Sequence, residues 1–282
     1  MICKELDHNA VLSLLPERRE DAHKGDFGRV LLLCGSVGYT GAAELSALGA
    51  LRVGAGLVYL GVAEPVYGIC ATKLTEPIVF PLPAVDGKLS KDAIWSIEQQ
   101  LQNMDAVLIG PGLGQSTGTL AVVEYVLKNF NGPVVLDADG INLVAAHKDI
   151  VRSRTGITIL TPHAGEFSRL TDISQENRLD AAKSLAEDLG AIVVLKGHKT
   201  VVCNGKVAYV NPTGNPGMAV GGCGDVLAGM VTGLIGQGID PMEATACAVW
   251  LHGAAGDICA KEIGQYGMLP SDMLCVLPRL MK

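Results

Sequence analysis

The residues in this sequence best suited to chemistry lie in Thr213-Gly-Asn-Pro-Gly-Met-Ala-Val-Gly-Gly-Cys-Gly-Asp225, a loop with glycines at 214, 217, 221, 222 and 224. Glycine accepts positive φ and carries no Cβ, so such a loop can turn its N–H groups toward a phosphate or carboxylate. The small apolar run from Asp225 to about Leu234 reads as a helix, whose free N-terminal amides and dipole strengthen an anion site. Asp225 is out of place there, because bound phosphate repels a carboxylate. It is either the helix N-cap or the base of a proton transfer, and the sequence leaves both open. Cys223 stands where a thiol can be acidified, but no histidine is near it in sequence, and it reads as a small loop residue.

Other short apolar runs end in residues of similar kind. Arg29–Cys34 runs into Gly35-Ser-Val-Gly-Tyr-Thr-Gly41 and then Ala42-Ala43. The glycine spacing is not that of a dinucleotide fingerprint, so the Gly41–Ala43 backbone either carries a ligand or packs a helix tightly on the sheet. Ala106-Val-Leu-Ile runs into Gly110-Pro-Gly-Leu-Gly114, which includes Gly112. Pro133-Val-Val-Leu ends in Asp137 and Asp139, read as two carboxylates on the same side of a strand end, suited to a cation or sugar hydroxyl or else to turn and N-cap duty. Thr158-Ile-Leu-Thr-Pro leads to His163 and Glu166, and Ala191–Leu195 leads to Lys196-Gly197-His198-Lys199-Thr200. The last segment suits nucleotide phosphates, with a solvated charge pair as the alternative.

Elements that place all of these at one edge are legible in the hydrophobic pattern. Strand-like runs alternate with helical ones at 42–52, 90–101, 120–129 and 178–189, which is the order of a doubly wound α/β sandwich with ligands at the strands' carboxyl ends. An amphipathic helix is expected before Pro16, a turn-rich passage at 77–87, and a hairpin at 200–210 turning on Asn204-Gly205. A long helix capped by Asp240 is expected over 241–262, with Trp250 on its core face and His252 packed or capped, before a short terminal helix at 270–278. With 282 residues, 49% apolar, and no linker or repeat, a single domain over 1–282 is the economical reading. The net charge of −7 gives nucleic acid no general attraction, and no apolar run is long enough to span a bilayer. The eight cysteines lack metal-site spacing, and the acidic N-terminal segment is unlike a signal peptide, so a cytoplasmic protein is expected.

Taken in order, Gly-Tyr-Thr-Gly-Ala-Ala (38–43), Gly-Pro-Gly-Leu-Gly (110–114), Leu-Asp-Ala-Asp-Gly-Ile-Asn (136–142), Thr-Pro-His-Ala-Gly-Glu (161–166), Lys-Gly-His-Lys-Thr (196–200) and Gly-Asn-Pro-Gly-Met-Ala-Val-Gly-Gly-Cys-Gly-Asp (214–225) resemble the NAD(P)H-hydrate dehydratases over nearly the whole chain. The resemblance implies a ribokinase-like three-layer α/β/α sandwich with a mostly parallel central sheet. It implies dehydration of hydrated NADH and NADPH at the expense of ADP or ATP with Mg²⁺. Bacterial members mostly use ADP and eukaryotic ones ATP. By the same resemblance, Ala42, Ala43, Gly112, Gly114, His163 and Asp225 meet the hydrate, while Lys196, Gly197, His198, Lys199, Thr200 and Gly224 meet the nucleotide. A homo-oligomer, commonly a tetramer, is implied too. The companion epimerase, often fused N-terminally, has no room here and is expected as a separate protein.

On this reading Asp225 takes the proton of the ring hydroxyl as its oxygen attacks the terminal phosphoryl group, and amides from Gly222, Cys223 and Gly224 hold the developing charge. Lys196 or Lys199 and Mg²⁺ neutralise the phosphates, and Glu166 holds a metal-bound water. Kinases of the fold often carry Asn-x-x-Glu where this chain has His163-Ala-Gly-Glu166. The competing readings are a small-molecule kinase, similar to the hydroxyethylthiazole or pyridoxal kinases, and a non-catalytic nucleotide-binding sensor.

Overall fold

The structure is a computed structural model that describes residues 1–282. From the N-terminus, β1 (Ile2–Lys4) and α1 (His8–Leu14) precede β2 (Arg29–Leu33), α2 (Thr40–Arg52), β3 (Leu57–Ala63), α3 (Glu64–Lys73) and β4 (Ile78–Leu82). A small hairpin, β5 (Ala84–Val85) and β6 (Lys88–Leu89), leads to α4 (Ala93–Leu101), β7 (Ala106–Ile109), α5 (Thr117–Asn129) and β8 (Val134–Leu136). Next come α6 (Asp139–Val144), α7 (Asp149–Arg152), β9 (Thr158–Leu160), α8 (Ala164–Leu170), α9 (Arg178–Leu189) and β10 (Ile192–Leu195). The hairpin of β11 (Val201–Cys203) and β12 (Val207–Val210) precedes α10 (Cys223–Gly236), α11 (Pro241–Glu262) and α12 (Pro270–Leu280).

The strands form one ten-stranded sheet in the order β1-β12-β11-β10-β9-β8-β7-β2-β3-β4. Every pair from β10 to β4 is parallel, and β11 runs antiparallel to both of its neighbours. The parallel strands are continuous apolar runs because helices cover both faces: β7, β8, β9 and β10 are buried at every position. One helical group is built on α2, α10, α11 and α12, another on α4 through α9, which gives the three-layer sandwich. Between α2 and α10 the backbones nearly touch. A Cβ on Gly49 would stand 2.5 Å from the Val226 carbonyl oxygen, and one on Gly229 would collide with that of Ser46. No helix is long and apolar enough to cross a membrane.

Several local expectations are corrected. The segment before Pro16 is not one helix, since Ile2–Lys4 adds a parallel edge strand to β12 before α1 begins at His8. The proline-rich passage contains β4, which tolerates Pro81 because it is the outer strand beside β3 and its missing N–H costs no ladder bond. Trp250 does pack against the core, as expected, but is only half-buried and stacks on His8 with ring centroids 5.5 Å apart.

Candidate active site

The chain leaves β2 toward β3 on one side and returns as β7 on the other, so the order of strands reverses between β2 and β7. Open α/β sheets hold ligands at such a reversal, outside the carboxyl ends of the strands. Here the two glycine loops that follow β2 and β7 are fastened together. Gly35 N donates to the Pro111 carbonyl (2.9 Å) and Ser36 Oγ to that of Gly112 (2.8 Å). Gly112 has φ +59, and a Cβ there would lie 2.7 Å from Tyr39 Cβ and 2.9 Å from Ala42 Cβ, so Ala42 and Gly112 form one wall of the crevice. Ala43, next in the helix, is buried and faces the core instead.

The N-terminus of α10 closes another side. Its N-cap is Gly222 at φ 101, a conformation that removes the N-cap reading of Asp225, which lies in the first helical turn. Burial, then the nearby charge of Asp137 and that of Glu166, push the Asp225 carboxyl up to about 7, and Lys196 only partly opposes them. A carboxyl held near neutrality is poised to accept a proton. Burial pushes the Cys223 thiol up to about 11, so Cys223 contributes its place in the loop and not a thiolate.

Asp137 and Asp139 do not share a direction. Ala138 between them has φ 48 and ψ −115, a strained conformation for a residue with a Cβ, and the Asp137 carbonyl is pressed so closely on Gly110 that any Cβ there would collide with it. Asp139 therefore turns to the β7 loop, accepting from Gly114 N (2.8 Å) and Gln115 Nε2 (3.0 Å), and it is the first residue of α6, not its cap. Asp137 turns inward. It is buried, accepts from Thr161 Oγ1 (2.6 Å) and pairs with Lys196 Nζ (2.7 Å). Lys196 Nζ also faces Glu166 Oε2 at 3.8 Å. Burial alone would lower the Lys196 pKa, but Asp137 and Glu166 carry it above its ordinary value, so the ammonium stays charged. The glycine loop passes directly over this pair: a Cβ on Gly224 would stand 3.3 Å from Lys196 Nζ and 3.9 Å from Asp137 Oδ2.

His163 caps α8. Its Nδ1 accepts from Gly165 N (2.9 Å) and Glu166 N (3.3 Å), which leaves the proton on Nε2, while Glu166 Oε2 accepts from His163 N (2.9 Å). The imidazole is about half exposed, with Nε2 at 3.4 Å from Glu166 Oε1. The turn after β10 is held by reciprocal bonds between Gly197 and Thr200 Oγ1, with Lys199 at φ 53; Gly197, His198 and Lys199 are exposed. Of the two lysines expected at phosphates, Lys199 is thus open to solvent and Lys196 faces the carboxylates. Both oxygens of Glu166 are already engaged, and no group of three His, Cys, Asp or Glu side chains is placed to hold a metal ion. The Lys196 ammonium occupies the position between Asp137 and Glu166 that a cation would take. The residues present therefore do not form a magnesium site of their own.

Supporting residues that sequence reasoning passed over lie far along the chain. Asp257 on α11 accepts from Gly214 N (2.9 Å) and Asn215 Nδ2 (3.0 Å) and anchors the start of the glycine loop. Arg178 underlies the turn after β10, its guanidinium donating to the Leu195 carbonyl (2.7 Å) with Gly197 packed against it. His252 is buried beside the Cys223 backbone with Nε2 unpartnered, and burial lowers its pKa to about 4, so it is neutral packing under the loop. Asp240 does cap α11, as expected.

A family model described as NAD(P)H-hydrate dehydratase matches residues 30–279. The bifunctional NAD(P)H-hydrate repair enzyme Nnr of Moorella thermoacetica is 43% identical over 277 residues, which are 96% of this chain and 52% of that protein. The chain spans about half the length of several such bifunctional relatives. The ADP-dependent (S)-NAD(P)H-hydrate dehydratase of Bacillus subtilis is 38% identical, with 96% of this chain and 95% of that protein covered. A crystal structure of the Bacillus subtilis enzyme, co-crystallised with ATP/Mg²⁺, superposes with a TM-score of 0.82 over 97% of this chain and 96% of that one, at 34% identity. A hydroxyethylthiazole kinase from Pyrococcus horikoshii, at 18% identity and a TM-score of 0.67 over 95% of this chain and 91% of that one, shares the fold alone.

Fold and site together define a ribokinase-like α/β protein with a buried carboxyl, Asp225, in the first helical turn after a glycine loop. The chain belongs to the NAD(P)H-hydrate dehydratase family, a family of hydro-lyase enzymes.

Proposed function

We propose that this chain repairs hydrated NADH and NADPH, dehydrating the S form at the expense of ADP or ATP. The observation that carries the reading is Asp225, a carboxyl raised to about 7 in the first turn of the helix that follows the glycine loop. Water is a poor leaving group, whereas phosphate is a good one. Asp225 accepts the proton of the ring hydroxyl as its oxygen forms a bond to the terminal phosphorus of the nucleotide, whose bridging P–O bond breaks. Amides of Gly222, Cys223 and Gly224 receive the charge on the transferred group. The ring nitrogen lone pair then expels phosphate from the carbon, and loss of a proton from the adjacent carbon restores the dihydronicotinamide.

The nucleotide is assigned to the turn from Lys196 to Thr200 and to Gly224, and the hydrate to Ala42, Gly112, Gly114 and His163. Lys196 contributes by fixing Asp137 and moderating Asp225, and Lys199 is the cation free for a phosphate. Mg²⁺ is named with ATP for the Bacillus subtilis structure. In this chain it would be carried by nucleotide phosphates and water, which suits an ion that dehydrates reluctantly. A NAD(P)H-hydrate epimerase is the functional companion we expect, in keeping with the bifunctional relatives.

The test is to mix the protein with NADH hydrate, Mg²⁺ and either ADP or ATP, and to follow recovery of the dihydronicotinamide absorbance together with free phosphate. Recovery with stoichiometric phosphate is expected. A stable phosphorylated product without recovery identifies a small-molecule kinase instead, and nucleotide binding with neither product identifies a sensor.

A further inference from the structure

We infer that Lys88, the first residue of β6 just after the turn of the β5–β6 hairpin, is the cation that holds the pyrophosphate of the dinucleotide substrate; the inference rests on the function proposed above. The hairpin overhangs the hydrate side of the crevice and is fixed there. Val37 N donates to the Gly87 carbonyl (3.0 Å), Ser90 N donates to that of Pro83 (2.9 Å), and a Cβ on Gly87 would lie 2.6 Å from Val37 Cγ2. Asp86 and Gly87 both have positive φ, 50 and 74, as a tight two-residue hairpin turn requires. The stem of Lys88 is laid across Gly114, where a Cβ would stand 2.9 Å from Cδ and 3.1 Å from Cε. Its ammonium donates to the Gln115 carbonyl (3.2 Å) and pairs with no carboxylate.

Charge gives this placement its meaning. A dinucleotide brings a doubly negative pyrophosphate to a chain of net charge −7 and to a crevice already holding Asp137, Glu166 and Asp225. On the nucleotide side, Lys196, Lys199 and Arg178 surround the turn after β10. Along Ala42, Gly112 and Gly114 the wall is built of small residues without charge, and Lys88 is the side chain that brings a positive charge against it. A long, half-buried side chain bonded to one neutral carbonyl exchanges that bond readily for a phosphate oxygen, which as an ionised acceptor forms the stronger bond.

The test compares wild type, Lys88→Gln, Lys88→Arg and, as a control for general surface charge, Lys91→Gln. Steady-state kinetics with the hydrates of NADH and of NADPH are measured, together with calorimetric binding of NADH, which shares the pyrophosphate. Lys88→Gln is expected to raise KM for both hydrates about tenfold and to weaken NADH binding by a similar factor, with kcat and the nucleotide KM within about twofold of wild type. Lys88→Arg restores most of the loss, and Lys91→Gln loses nothing. The inference is overturned by an unchanged hydrate KM and NADH affinity in Lys88→Gln, by a loss confined to kcat, by an effect on the NADPH hydrate alone, which would place the lysine at the 2′-phosphate, or by an equal loss in Lys91→Gln. A wild type that turns over neither hydrate contradicts the proposed function, and the NADH binding comparison then still decides the role of Lys88.

Discussion

The end of β8 and the first turn of α10 each deliver an aspartate to the same small volume, and the two are treated oppositely. Asp137 is surrounded by donors: Thr161 Oγ1 at 2.6 Å and Lys196 Nζ at 2.7 Å. Asp225 is buried in the first turn of a helix but receives no such partner, because Lys196 directs its contacts to Asp137 and Glu166. The first arrangement gives the carboxylate oxygens donors; the second leaves Asp225 without one, and its pKa is raised to about 7. A helix N-terminus ordinarily favours negative charge, whereas burial and the neighbouring acids Asp137 and Glu166 work against it at Asp225. One aspartate is tied into the architecture, and on the function proposed the other is left to exchange a proton.

Removing the lysine breaks the contrast most severely. Lys196→Met leaves Asp137 and Glu166 buried without their counter-charge and should destabilise the fold by about 3–5 kcal/mol in denaturant titrations. In whatever folded protein remains, Asp225 loses the one neighbour that lowers its pKa, and the acid limb of kcat/KM moves to higher pH.

Removing Asp225 itself should stabilise the protein. Its folded pKa lies above the ordinary aspartate value, so the native state binds a proton that the unfolded chain releases. Its contribution is fully present below about pH 4 and is lost as pH rises through about 7. At pH 8 Asp225→Asn is expected to be more stable than wild type by about 2 kcal/mol, after allowance for the solvent that reaches the crevice, with the difference vanishing near pH 4. Chemical denaturation at the two pH values checks the sign.

Asp137→Asn sharpens the comparison from the other side. The first-ranking charge that raises Asp225 is removed, so the acid limb of kcat/KM should move down by about one pH unit, opposite in direction to the lysine variant. The smallest effect is expected at Asp257→Ala, which frees Gly214 N and Asn215 Nδ2 while leaving both aspartates in place. The nucleotide KM should rise roughly fivefold with kcat little changed, as the loss of an exposed loop anchor implies.

The half of this contrast that involves Asp225 was legible in the sequence, because a glycine loop, an acid and a helix are contiguous in the chain. The half that involves Asp137 was not. Its partner Lys196 is 59 residues away on another strand end, and only the neighbouring of β8, β9 and β10 brings them together. The expected shared direction of Asp137 and Asp139 assumed a strand that continues past Leu136, whereas the strained Ala138 ends it. Asp257 likewise stands 43 residues from Gly214 on a helix whose sequence looks merely apolar there. The doubly wound fold was legible because buried parallel strands are uninterrupted apolar runs. The edge strands β1 and β4 were missed, since one is exposed throughout and the other contains a proline.

The most direct measurement is single-turnover recovery of the dihydronicotinamide from NADH hydrate, with saturating nucleotide and Mg²⁺, by wild type and Asp225→Asn side by side. The account predicts recovery by wild type and a loss of at least about a thousandfold in the variant, with nucleotide binding and the folded structure retained. Near-normal recovery by a folded Asp225→Asn protein would contradict it, since the proton would then be leaving the hydroxyl by another route.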